Sequence, residues 1–343
     1  MNQTSLNRSF TTWSLLGFAA PSIIMMVFMS LYTIVDGIFI SRFVGSNALS
    51  SLNIVYPMIN VVIAIATMFA TGGNAIVSRY LGQRQKKQAR EALTEFVVIG
   101  VLIRTVFAAL VILFEDSICR FLGANDELMA DCKAYLTISM LFAPACTLQT
   151  LFQSYFVTAS RPGLGLWLTV AAGILNAVLD YVLIVPIPLG IAGAALATGF
   201  GQLLPAVVGL IFFAIPHKTL RFCRFSFRLR ELRDACINGS SEMIGQMATA
   251  ITTFLFNIIL MRLAGSDGVA AMTILFYGQF LFNAFYLGFA IGIAPVVGYQ
   301  YGAGNRKELR KIYRISFLFT VVSSIAMTVA SIVLATPIVS VFT

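Results

Sequence analysis

The sequence predicts an all-α polytopic membrane protein: two six-helix bundles made by internal duplication, the second of them incomplete. Three observations predict it. Apolar residues fill 59% of the 343 positions and charged residues 11%, with a mean hydropathy of +0.89, outside the balance of soluble domains. Apolar runs of about 20 residues recur along the chain, each long enough to cross a hydrocarbon core ~30 Å thick as a helix. A stretch beginning at Gly45 also returns, without a gap, at Gly265. The period-2 alternation of a membrane barrel is absent.

Nine spans follow in order. The first, 13–40, follows Arg8 and resembles a secretory signal, but its apolar run from Trp13 to Val35 is too long for a signal core. The others are read at 47–76, 93–114, 134–158, 164–186, 191–215, 238–263, 270–298 and 314–336. With the amino terminus in the cytoplasm, the inner loops hold Arg79, Arg84, Lys86, Lys87, Arg90, Arg161, a basic run from Lys218 to Arg233, and another from Arg306 to Arg314. The outer loops hold Arg42, Arg120, Lys133 and Arg262. Excess Lys and Arg inside is how multi-pass proteins orient. The net charge of +9 is therefore an orientation signal with some anionic-lipid contact, and no nucleic-acid partner is expected. Residues 216–237 form a linker between an amino-terminal lobe, 1–215, and a partial carboxy-terminal lobe, 238–343. Its mixture of Phe, Leu and Arg predicts an amphipathic helix lying in the interface. His217, the one histidine, is expected in an exposed loop rather than in a proton relay. The five cysteines show no CxxC spacing. Cys119 and Cys132 share an outer loop and are expected as free thiols.

The duplication has an offset of 220. Gly45, Ser46, Ile54, Gly72, Gly82, Lys87 and Arg90 meet Gly265, Ser266, Ile274, Gly292, Gly302, Lys307 and Arg310, and Arg42 meets Arg262 just upstream. Six spans separate the copies, so they run in the same direction, an arrangement common in secondary transporters that rock two bundles about a site between them. On this register the chain stops at the end of the ninth span, which predicts a fragment or truncated product of a twelve-span protein of about 440 residues.

Ionisable groups within a membrane are costly and face a partner or a cavity. Asp36 lies near the outer end of span one, Asp180 near the outer end of span five and Thr198 a similar distance into span six. Asn176 stands one helical turn from Asp180 on the same face. Two carboxylates, an amide oxygen and a hydroxyl suit a hard cation such as sodium, and the same acids can instead share a proton. Asn176 and Thr198 taken singly suit helix-to-helix hydrogen bonding equally well. Met25, Met29, Tyr32 and Asp36 fall on one face of span one, which suits either a substrate-facing stripe or ordinary packing, and Gln149 and Gln153 on span four share that ambiguity. Arg104, near the middle of span three, is expected to face the interior and pair with a carboxylate or helix carbonyls. Glu242 and Gln246 open span seven, as a gate or as snorkelling interface residues. No loop offers a nucleophile with its base or a metal cluster, which speaks against an enzyme.

Three stretches carry a family likeness: residues 19–57, "GGNAIVSRYLGQ" at 72–83, and "LNAVLDYVLIVPIPLGIAGAALATGFGQ" at 175–202. Through them the chain resembles the multidrug and toxic compound extrusion (MATE) family, in particular its bacterial multidrug efflux branch. The resemblance implies a V-shaped two-lobe antiporter in the bacterial plasma membrane. Such a protein exports amphipathic, often cationic compounds in exchange for sodium or protons and needs no cofactor beyond that coupling ion; a monomer is expected. It also implies a cation site at Asp36, Asn176, Asp180 and Thr198, and a cavity to which Tyr32 and Tyr135 contribute. Span seven departs from relatives that carry a mid-span acid, having Glu242 near its start instead. A lipid-linked oligosaccharide flippase of the same broader superfamily is the alternative.

Overall fold

Ten helices make up a computed structural model, which describes residues 6–216 and 220–342. Side chains are left out at Ile38, Ser41, Ser46, Leu49, a number of positions between 250 and 277, and from 334 onward. The helices are α1 (Thr12–Phe43), α2 (Ser46–Gly82), α3 (Lys86–Leu113), α4 (Glu115–Phe121), α5 (Met129–Leu141), α6 (Ala143–Thr158), α7 (Pro162–Ile184), α8 (Gly190–Ala214), α9 (Leu229–Gly302) and α10 (Arg306–Phe342). Among the described residues seven stretches are long and apolar enough to cross a membrane, and the bent pair α5 and α6 makes an eighth. The seventh expected span, 238–263, falls partly on positions whose side chains are not described. His217 and Lys218 also lie outside the described residues.

Several expectations are corrected. Span four is a helix broken at Phe142, where α5 and α6 meet at 51°, because Pro144 in the first turn of α6 removes a backbone donor and crowds the preceding turn. The loop after span three contains the short helix α4. Residues 220–228 of the linker are extended rather than helical, while 229–237 are helical and form the first turns of α9. The backbone donors of 220–228 find other acceptors: Phe222 N bonds the Phe213 carbonyl at 2.8 Å, Cys223 N bonds Thr94 Oγ1 at 3.2 Å, and Arg228 N bonds Glu95 Oε1 at 2.8 Å. The segment is an extended strap with the Phe222 ring 5.8 Å from that of Phe213.

Helix α9 spans 74 residues, which if straight would measure about 110 Å. Both of its ends nevertheless rest on one stretch of α2. A Cβ on Gly72 would fall 1.9 Å from the Ala235 carbonyl oxygen, and one on Gly82 would fall 2.0 Å from that of Tyr299. Gly72 and Gly82 are about 15 Å apart along α2, so α9 doubles back on itself into two limbs. These limbs are the expected spans seven and eight. The backbone remains helical through residues 264–269, where a loop was expected; no proline accompanies the Gly265–Gly268 run to end the helix.

The duplication is visible in the packing. Gly82 abuts Tyr299, and Gly302 abuts the Arg79 carbonyl, a Cβ there falling 2.0 Å away. Adding 220 to Arg79 and Gly82 gives Tyr299 and Gly302, so each contact is the other with its partners exchanged. Ser78 faces Gly298, its own counterpart, as groups on a twofold axis do. Gly72 against Gly239 and Gly292 against Ala19 form a second exchanged pair. Small residues allow helix backbones this close in a membrane protein. These approaches all lie in the half of the bundle that carries the basic loops, while Gly37, Gly45 and Gly278, toward the other end, meet nothing within 4 Å.

Two apolar clusters flank the middle of the first copy. One, at the basic end, holds Phe10, Phe69, Phe96, Phe152, Tyr155, Phe213 and Tyr299; the other holds Ile40, Val55, Val111, Tyr135, Leu136 and Ile191. All five cysteines are free, as expected. Burial, more than its neighbour Cys132, pushes the Cys119 thiol up to about 11, so it stays protonated and unreactive at neutral pH.

Candidate functional site

Helices α1 and α7 run side by side, with Phe28 and Tyr32 against Gly173. One turn beyond Tyr32 lies Asp36, and two turns beyond Gly173 lies Asp180, so the two acids arrive at the same level. Their carboxyl groups neighbour each other, and the Asn176 side chain neighbours Asp180. Even so, Oδ1 of each acid and the Asn176 amide nitrogen are buried and close no hydrogen bond among the described residues. Helix α8 seats Gly201 against Asn176, a Cβ there falling 3.2 Å from the asparagine Cβ. Because α8 runs opposite to α7, Thr198 lies one turn toward Asp180. No hydrogen bond joins Thr198 to the acids among the described residues. Two adjacent carboxylates in a membrane repel unless a proton or a cation sits between them. The free oxygens here fit either occupant, and the all-oxygen donor set suits a hard cation. Among the described residues no cluster of three or more His, Cys, Asp or Glu side chains could hold a metal ion.

The other named residues separate into two groups. Tyr135, buried on α5, is close enough to Asp36 and Asp180 for their charges to act on its hydroxyl, as Tyr32 is to Asp36. Gln153 is buried and satisfied, its amide donating to Thr169 Oγ1 at 3.3 Å and to Met29 Sδ at 3.5 Å, so it ties α6 to α7 and α1. Arg104 is fully buried, as expected of an interior residue. The expected partner is absent: none of its three guanidinium nitrogens closes a hydrogen bond among the described residues, and the polar group acting on it is the Cys146 thiol. Glu242 is half-buried on the first limb of α9 and forms no ion pair among the described residues.

Sequence reading missed two polar groups. Thr158 donates to Asn74 Oδ1 inside the first copy. At the basic end Arg228 pairs with Glu91 at 2.6 Å and Glu231 at 2.7 Å, with Tyr80 donating to Glu231 at 2.8 Å. The one signal for the second group was the 220-residue offset, which relates Arg228 to Arg8.

A duplicated helical membrane fold with a buried acid pair defines a transporter-type protein. A family model described as MatE matches residues 21–182 and 243–343, and the chain belongs to that family of transporters. It is similar to the multidrug export protein MepA of Staphylococcus aureus, 23% identical over 335 residues, covering 92% of this chain and 71% of that protein. It is similar also to the MepA of Staphylococcus saprophyticus, 23% identical over 310 residues, covering 89% of this chain and 68% of that one. Among solved structures, the outward-facing conformation of a multidrug resistance MATE family transporter shares the fold, with a TM-score of 0.92 at 21% identity over all of this chain and 76% of the other.

Proposed function

We propose that this protein is a cation-coupled multidrug antiporter, working by alternating access and exporting amphipathic, often cationic compounds across a bacterial plasma membrane. The observation that carries this reading is the adjacent Asp36 and Asp180 pair with its free buried oxygens. A proton or sodium ion entering from outside would neutralise the pair with Asn176 and Thr198 as further donors. That relieves the repulsion between α1 and α7, lets the helices close together, and shrinks the space open to substrate. Losing the ion to the cytoplasm restores the repulsion and the space. Tyr32, Tyr135 and Met29 lie along this path and would meet the substrate; aromatic faces and methionine suit cationic amphiphiles.

The division into lobes at 1–215 and 238–343, the monomeric state and the cytoplasmic amino terminus belong to the same reading. The basic loops, all at one end of the bundle, support the orientation. A flippase of the broader superfamily is the alternative. It would need several cationic groups lining a cavity, whereas Arg104 is enclosed and closes no hydrogen bond among the described residues. The test is ethidium efflux from vesicles with sodium and proton gradients imposed separately. One gradient should drive export, and Asp180→Asn should abolish that export while the protein remains in the membrane. Efflux driven by neither gradient would overturn the reading and put the flippase ahead.

A further inference from the structure

Each copy is led in by a short non-helical segment, residues 6–11 before α1 and residues 220–228 before α9, and the 220-residue offset places Arg8 on Arg228. Each segment docks on the other copy. Leu6 and Phe10, both fully buried, lie in the cluster that includes Val296, Tyr299 and Ile312 of the second copy. Gln300 donates to the Leu6 carbonyl at 3.2 Å. Glu308 Oε1 accepts from Phe10 N at 2.7 Å, Oε2 accepts from Ser9 Oγ at 3.2 Å, and Lys311 Nζ donates to Ser9 Oγ at 3.3 Å. The second segment repeats this on the first copy. Its backbone donors bond Thr94 and Glu95, and the Arg228 guanidinium holds Glu91. Lys311 and Glu91 are equivalent positions at the offset. Both docks lie at the basic end, where the glycine contacts join the copies.

We propose that the two segments form a paired clasp holding the cytoplasmic ends of the two copies together, with Glu308 and Arg228 as its catches. Opening toward the cytoplasm then requires both to let go. The proposal rests on the alternating-access reading above, since a clasp matters only if that end opens. A backbone N–H bonded to a carboxylate, and a guanidinium bonded to one, are charge-assisted contacts about twice as strong as neutral ones. They are nonetheless few and local, confined to two short segments, with Glu308 buried and Arg228 and Glu91 partly exposed, and so can be broken without unfolding either copy.

The test reads cytoplasmic closure directly. The five native cysteines are replaced by alanine and Val296→Cys is introduced, a fully buried position near the boundary between copies. A membrane-impermeant maleimide is then added to inside-out vesicles. Glu308→Gln and, on the other strap, Arg228→Gln should each raise the labelling rate about tenfold. Arg228→Lys, which keeps the charge, should raise it much less. A cysteine at Val55, buried at the opposite end, should label unchanged when the same maleimide is added to right-side-out vesicles. Unchanged labelling in both Gln variants, or an equal rise at Val55, would overturn the proposal. No substrate or ion gradient enters the assay, so its failure is distinct from a failure of the antiporter reading. If Glu308→Gln does not insert, Arg228→Gln gives the same decision.

Discussion

The two copies share a scaffold and differ where the scaffold is charged. At the offset of 220, Asp36 of α1 corresponds to Phe256 on the first limb of α9, Tyr32 to Thr252, and Arg104 of α3 to Ser324 of α10. Asp36 neighbours a second carboxyl, whereas Phe256 is a partly exposed aromatic residue. Arg104 is enclosed and closes no hydrogen bond among the described residues, whereas Ser324 shares a 2.8 Å hydrogen bond with Tyr286 on the surface. Gly72, Gly82 and their mates are identical and build the interface. Positions kept through the duplication therefore hold the halves together, and positions that diverged carry the membrane-buried charge. Under the antiporter reading proposed above, the asymmetry places ion coupling in the first copy.

The strongest way to break this comparison is to make the copies alike at the acid. Asp36→Phe puts the second copy's residue into the first and removes half of the carboxyl pair, so gradient-driven ethidium efflux should fall to background. Phe256→Leu, at the equivalent place, should leave efflux near the unsubstituted rate. If the Phe256 variant lost coupling and the Asp36 variant kept it, the two copies would have exchanged roles.

Much of this is legible in the order of the amino acids. Hydropathy marks the spans, the offset marks the copies, and counting turns from helix ends brings Asp36, Asn176, Asp180 and Thr198 to one level, because helical rise converts sequence distance into depth. Local patterns fail where distant partners decide. The strap at 220–228 has the composition of an interfacial helix, but Thr94, Glu95 and Phe213 offer its donors other acceptors. The bend at Phe142 has a local sign in Pro144, which an apolar run long enough for one span conceals. Glu308 and Phe10 are 298 positions apart, and no periodicity links them. That Arg104 closes no hydrogen bond among the described residues is invisible for the same reason: a missing partner is a fact about every neighbouring helix.

A smaller effect tests the reciprocal interface. A methyl group on Gly82 or on Gly302 would strike a backbone carbonyl at 2.0 Å, and backbones this close cannot yield without separating the helices. Gly82→Ala and Gly302→Ala should each destabilise the protein by about 1–3 kcal/mol, read as a lower Tm in detergent, and by similar amounts because the contacts are equivalents. Gly37→Ala, with nothing within 4 Å, should be neutral or stabilise by up to ~1 kcal/mol, since alanine favours the helix. Unequal losses at Gly82 and Gly302 would mean that the symmetry is of sequence rather than of packing.

The smallest effect has the less expected sign. A fully buried guanidinium with three unbonded nitrogens gives up hydration and receives little in return, so Arg104 should weaken the state described here. Arg104→Met keeps the length and apolar stem of the side chain while removing the charge. Replacing a poorly compensated buried charge by an apolar residue of similar size is neutral to stabilising by roughly 1–4 kcal/mol, and the lower part of that range is expected here because a long side chain can draw water or lipid headgroups toward it. The Tm should rise. Ser324→Ala, at the equivalent position, removes a satisfied surface hydrogen bond and should lower it slightly, by about 0.5–1 kcal/mol. Opposite signs at equivalent positions would show that the first copy carries its charge at a cost in stability. A fall in Tm for Arg104→Met would mean instead that the guanidinium has partners, such as bound water, that hold it in place.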